Sequence, residues 1–108
     1  DEQLRPPAGV LGMILHTLNA SPASPAFHDC LRVVAPGDGL LLLGDGVYAA
    51  LPGTDACSAL QACGADIYLL SPDARAAGLD KLVGIGTTVD MNEFVALSER
   101  CPRQQAWY

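Results

Sequence analysis

The sequence is poor in basic and in aromatic residues. It has six Lys and Arg against twelve Asp and Glu, a formal net charge of −6 over 108 residues. A nucleic-acid-binding surface needs positive charge to neutralise phosphates, so we expect no direct contact with nucleic acid. Aromatic residues make up 6% of the chain. A core must therefore be built from Leu, Val, Ile and Ala.

Long apolar runs are also absent from the sequence. No run reaches the roughly 20 apolar residues needed to span a bilayer, so we expect no membrane insertion. The first residues, Asp1 and Glu2, are not the basic start of a signal peptide. We therefore expect a cytoplasmic protein.

The four cysteines include no Cys-x-x-Cys pair, which excludes the usual zinc and thioredoxin-type spacings. They are Cys30, Cys57, Cys63 and Cys101. Cys57 and Cys63 lie six residues apart on one predicted helix, facing opposite sides, so they cannot form a disulfide. We expect free thiols, with no metal and no cofactor.

The length corresponds to one domain. Residues 1–12 contain Pro6-Pro7, Gly9 and Gly12, which exclude a helix and add flexibility. We expect this segment to be a disordered extension, native or introduced, and residues 13–108 to form the folded domain.

The rest of the chain alternates between predicted strands and helices. Strands are predicted at residues 14–18, 40–43, 67–70 and 87–89, and helices at residues 25–34, 47–51, 55–63, 74–77 and 91–100. Ser24 is a suitable N-cap with Pro25 at the first helical position. Short loops between alternating elements predict a single α/β domain with three layers and a mostly parallel sheet of four to five strands.

Of the four cysteines, Cys30 is the candidate for sulfur chemistry. A thiol near a helix N-terminus has a lowered pKa and can act as a nucleophile. Cys30, however, lies past the first helical turn and shares an apolar stripe with Phe27 and Val34. The pattern favours packing, with sulfur chemistry as the alternative. For His16 and His28, we expect structural roles.

Asp45, Gly46 and Tyr48 follow a central predicted strand, at the edge where open α/β sheets bind ligands. One interpretation is a ligand or subunit-contact loop. The other is a turn in which Gly46 has positive φ and Asp45 caps the next helix. Gly44-x-Gly46 lacks the third glycine of a dinucleotide-binding fingerprint.

Four separated motifs together resemble the TusB/DsrH family, subunits of bacterial sulfur-relay complexes. They are His16-Thr-Leu-Asn-Ala-Ser-Pro22, Cys30-Leu-Arg32, Asp45-Gly-Val-Tyr-Ala-Ala50 and Gln104-Gln-Ala-Trp107. The resemblance implies a flavodoxin-like α/β fold. It also implies assembly with TusC/DsrF-like and TusD/DsrE-like subunits into a heterohexamer, a dimer of heterotrimers. Such a complex passes persulfide sulfur from a TusA-like donor to a TusE/DsrC-like acceptor.

The resemblance also implies a role for this chain. In the family the main active cysteine belongs to the TusD/DsrE subunit, so this chain would be a structural or auxiliary subunit with Cys30 at most an auxiliary thiol. Asp45, Gly46, Tyr48 and Trp107 are then candidate interface residues. In the Tus branch the sulfur reaches the wobble uridine of tRNA as 2-thiouridine, and in the Dsr branch it serves dissimilatory sulfur oxidation. A stand-alone module that binds a small ligand is the alternative from another class.

Overall fold

A computed structural model describes residues 14–79, 85–101 and 103–108. The extension predicted over residues 1–12 lies outside this range. Of the helices in the described segments, none has the length and apolar content to cross a membrane.

Five strands form one parallel sheet. They are β1 (Ile14–Leu18), β2 (Gly39–Leu42), β3 (Asp66–Leu70), β4 (Thr87–Val89) and β5 (Arg103–Trp107). Their order across the sheet is β4-β3-β2-β1-β5, and every neighbouring pair is parallel. The predicted α/β class with a parallel sheet is confirmed. β5 was not among the strands predicted individually.

Of the five helices in the described segments, three begin at the predicted residue and two begin earlier. They are α1 (Pro25–Val33), a 3₁₀ helix (Gly44–Ala50), α2 (Asp55–Ala62), α3 (Ser71–Ala76) and α4 (Met91–Arg100). Ser24 Oγ accepts a hydrogen bond from Phe27 N, and Thr54 Oγ1 accepts one from Cys57 N. These side chains satisfy main-chain N–H groups that a first helical turn leaves unpaired. The 3₁₀ helix and α3 each begin three residues earlier than predicted.

The helices lie on both faces of the sheet because the direction of the crossovers reverses at β1. From β1 the chain adds β2, β3 and β4 on one side, and then returns to place β5 on the other. Right-handed crossovers therefore put α1, α2 and α3 on one face and α4 on the opposite face. This arrangement gives three layers.

Two apolar cores separate along these faces. The larger joins buried side chains of α1, α2 and α3 to alternate strand residues, among them Phe27, Leu60, Ala74, Leu40 and Leu42. The smaller joins Leu97 and Cys101 to Leu15, Leu41 and Val89. All four residues of β2 are buried, as expected for a strand covered on both faces.

Candidate functional site

The segments that follow β1 and β2 meet at the carboxyl edge of the sheet. Leu43 N donates to Leu18 O at 3.2 Å. The next residue, Gly44, has φ of +53°, a left-handed conformation that favours glycine. Its N–H donates to Asp73 Oδ2 at 2.8 Å. The Gly44 N–H, which could otherwise donate to an anionic ligand, is therefore already paired with a carboxylate of α3.

Gly46 is required for a reason that differs from the predicted one. The prediction of positive φ at Gly46 is wrong, since the positive-φ glycine in this turn is Gly44. A Cβ on Gly46 would lie 2.1 Å from Leu18 O. The 3₁₀ helix thus approaches the end of β1 so closely that a side chain cannot fit between them.

Asp45 does not cap the helix as expected. The N-cap is Leu43, which makes no side-chain capping bond, and Asp45 lies exposed within the first turn. Asp45 and Tyr48 instead line a small cleft of about 210 Å³ beside Asp73 of α3. Tyr48 is 46% exposed and Leu51 37% exposed. This surface is of mixed apolar and acidic character.

Cys30 is fully buried in the larger core. Burial, with a smaller contribution from the nearby Cys63, raises the pKa of Cys30 to about 12. Because the thiolate is the nucleophilic form, a raised pKa keeps Cys30 as an unreactive thiol at neutral pH. Its position supports a packing role, and a role as auxiliary thiol stays a prediction.

The other cysteines are also free thiols. Cys57 and Cys101 are buried. Burial raises the pKa of Cys101, and the charge of Asp38 adds to the increase. Cys63 is half-buried and its Sγ donates to Leu60 O at 3.0 Å. Within the described segments, no group of three or more His, Cys, Asp and Glu residues is arranged to hold a metal ion.

The most organised polar cluster is a buried chain of hydrogen bonds through His16. Trp107 Nε1–H donates to His16 Nδ1 at 3.1 Å. The other ring nitrogen, Nε2, lies 3.1 Å from Asp38 Oδ2. Because Nδ1 accepts from Trp107, a neutral ring carries its proton on Nε2 and donates it to Asp38. The three side chains form a cluster that we call the Asp-His-Trp chain.

Asp38 ties this chain to two other parts of the main chain. Its Oδ1 accepts from Ile14 N at 3.3 Å, and its Oδ2 accepts from Ala35 N at 3.0 Å. One buried carboxylate, on the residue before β2, thereby joins the start of β1 to the turn that follows α1. His16 and Trp107 were identified from the sequence, whereas Asp38 was not. The signal for it was a histidine in a buried strand, which requires a polar partner.

Trp107 packs onto the sheet as the last residue of β5. Its ring stacks on His16 with a centroid distance of 6.3 Å and an interplanar angle of 29°. His28 is exposed and contacts Phe27 edge-on at 5.5 Å. The two histidines therefore form no common site with Cys30.

A family model and two sequence relatives agree on one family, and a solved structure shares the fold. Residues 20–104 match the model of the DsrH family, described as DsrH-like protein. The chain is 42% identical over 95 residues to Protein TusB of Pectobacterium parmentieri, an alignment covering 87% of this chain and 100% of the relative. It is 38% identical over 95 residues, with the same coverage, to Protein TusB of Escherichia coli K12. The crystal structure of ychN protein from E. coli superposes with a TM-score of 0.74 at 16% identity, covering 89% of this chain and 99% of that one.

The contact between Gly46 and β1 predicts a large effect of a single methyl group. We expect Gly46→Ala to lower the free energy of unfolding by about 2–4 kcal/mol, because the main chain must move to relieve the overlap. Gly53→Ala is the control, since its φ is +85° but nothing lies within 4 Å of the added Cβ, and it should cost about 1 kcal/mol. Urea denaturation measures both. Equal losses would contradict a close approach at Gly46.

The Asp-His-Trp chain predicts a specific cost for removing its donor. Trp107→Phe keeps an aromatic ring but leaves His16 Nδ1 buried without a partner, so we expect a loss of about 1–3 kcal/mol in the free energy of unfolding. Tyr108→Phe, at the neighbouring 85% exposed residue, should change little. Circular dichroism during urea denaturation reports both variants. An unchanged stability of Trp107→Phe would show that the hydrogen bond contributes nothing.

Proposed function

The chain belongs to the DsrH family, and we propose that it is a subunit of a sulfur-relay complex that serves 2-thiolation of the wobble uridine in tRNA. The observation that carries the proposal is the alignment with relatives named Protein TusB, which extends over their whole length at 38–42% identity. The proposal includes a cytoplasmic location, where tRNA is modified.

Within that complex we assign the chain a structural and interface role. A persulfide carrier needs an accessible thiolate, which attacks the sulfur of the donor and is then reached by the thiol of the acceptor. Cys30, Cys57 and Cys101 are buried, and burial raises the pKa of Cys30 to about 12. Transfer through a cysteine of a TusD/DsrE-like subunit accounts better for the relay than transfer through this chain.

The partners follow from the same assignment. We propose assembly with TusC/DsrF-like and TusD/DsrE-like sister subunits in a heterohexamer, on which a TusA-like donor and a TusE/DsrC-like acceptor act. The exposed side chains of Tyr48 and Leu51 are suited to subunit contact. The net charge of −6 disfavours direct tRNA binding, so the sulfur reaches the tRNA through the partner proteins.

Two other functions are less well supported. A DsrH-type role in dissimilatory sulfur oxidation is favoured by Cys30, because DsrH-like members have a cysteine at this place and many TusB-like members do not. The thiol is buried, however, so its presence is weak support for the DsrH branch. A stand-alone ligand-binding module would use the cleft beside Asp45. That cleft, at about 210 Å³, is smaller than the roughly 300–1,000 Å³ of typical ligand pockets, and Asp73 already occupies the amide of Gly44.

Deletion of the gene tests the proposed pathway. We expect tRNA from the deletion strain to lose 2-thiouridine at the wobble position and the wild-type gene to restore it, with mass spectrometry of tRNA nucleosides as the measurement. Unchanged thiolation in the deletion strain would contradict the proposal.

Variants of two buried cysteines separate packing from sulfur chemistry. Cys30→Ala and Cys57→Ala remove thiols that are 0% and 4% exposed, so both lose similar packing. We expect both genes to restore thiolation in the deletion strain to within about twofold of each other, since a buried, protonated thiol does not carry sulfur. Loss of thiolation with Cys30→Ala alone, at matched protein levels, would give Cys30 a chemical role.

A further inference from the structure

Among the described strands, β5 lies at one edge of the sheet. Across residues 14–79, 85–101 and 103–108, its one neighbouring strand is β1. Trp107 pairs with Leu18, and Asn19 N donates to Trp107 O at 3.1 Å. In a parallel ladder successive residues point their main-chain groups to opposite sides. The N–H and C=O groups of Gln104 and Ala106 therefore point away from β1.

The outer edge of β5 has few of the features that usually prevent strand addition. Proteins protect such edges with proline, bulges, charged side chains or very short strands. β5 pairs with β1 through five consecutive positions without a bulge, and Arg103 is its one charged residue. The opposite edge strand, β4, has three residues. Of the two edges, β5 offers the longer regular ladder.

Two side-chain contacts hold β5 in place. Trp107 is fixed to His16 by the Asp-His-Trp chain. On the opposite face, Gln104 Nε2 donates to Ser98 O at 2.9 Å and to Ser98 Oγ at 2.6 Å. An edge that is already ordered loses little conformational entropy when a partner binds. The strand is thus both open and preorganised.

We propose that the outer edge of β5 is a docking edge to which an extended segment of a sister subunit adds as a further strand. This inference rests on the proposed function and adds the surface and the mode of contact. The occupant is a polypeptide strand because the edge offers alternating main-chain donors and acceptors, which a second main chain matches. Gln105 and Ala106 are exposed, so their side chains can contact the side chains of the added strand.

A proline at one outward-facing residue tests the docking edge. Ala106→Pro removes the outward N–H but leaves the ladder with β1, because proline is tolerated on the open side of an edge strand. Ala106→Ser keeps the N–H and is the matched control. Each variant is co-expressed with both sister subunits and purified through a tag on this chain. We expect Ala106→Ser to capture them as the wild type does and Ala106→Pro to capture about tenfold less or none.

The fluorescence of Trp107, the one tryptophan of the chain, checks that β5 stays docked in Ala106→Pro. A shift of the emission maximum would mean that β5 is displaced in this variant. Hydrogen exchange on the wild-type complex is then the test, and we expect the Ala106 amide to exchange about tenfold more slowly there than in the free chain.

The outcomes distinguish this inference from the proposed function. Capture by a well-folded Ala106→Pro, or unchanged exchange at Ala106 in the complex, would overturn the docking edge and leave the sulfur-relay role intact. Failure of the wild-type chain to capture either sister subunit would overturn the proposed complex itself. A wild-type chain that dimerises alone where Ala106→Pro is monomeric would assign the edge to a second copy instead.

Discussion

The hydrogen bonds around Asp38 are the interaction on which the arrangement of the sheet depends. The carboxylate accepts from Ile14 N, Ala35 N and the His16 ring, and His16 passes the connection on to Trp107. A buried histidine and a buried carboxylate are costly unless their polar atoms are paired. Here each satisfies the other, and the last strand is held to the first by a side chain 91 residues away in sequence.

Cys30 and the exposed side chains lie in different surroundings. The larger core packs α1, α2 and α3 around Cys30 and keeps that thiol out of water. The exposed residues include Tyr48 at the 3₁₀ helix and Ala106 in β5, as well as Val33, Met91 and Val95 on helices.

The elements that depend on local chemistry were predictable from the sequence. The cap at Ser24 and the apolar central strand were identified from residue types alone. β5 was missed because residues 103–107 are mostly polar and become a strand through pairing with β1, a contact that no local pattern records. The close approach of Gly46 to Leu18 was missed for the same reason, since it depends on where two distant segments meet. The local sequence pattern therefore predicted the helix cap and the central strand, whereas β5 and the position of Gly46 depend on contacts between distant segments.

The hydrogen bond from Trp107 Nε1 to His16 Nδ1 fixes β5 on the sheet. Nuclear magnetic resonance of the ¹⁵N-labelled chain tests this directly, through the scalar coupling across that hydrogen bond. We expect a measurable coupling, a proton on Nε2 of His16 and an indole N–H that exchanges slowly with water. A proton on Nδ1, no coupling and a rapidly exchanging indole would contradict it.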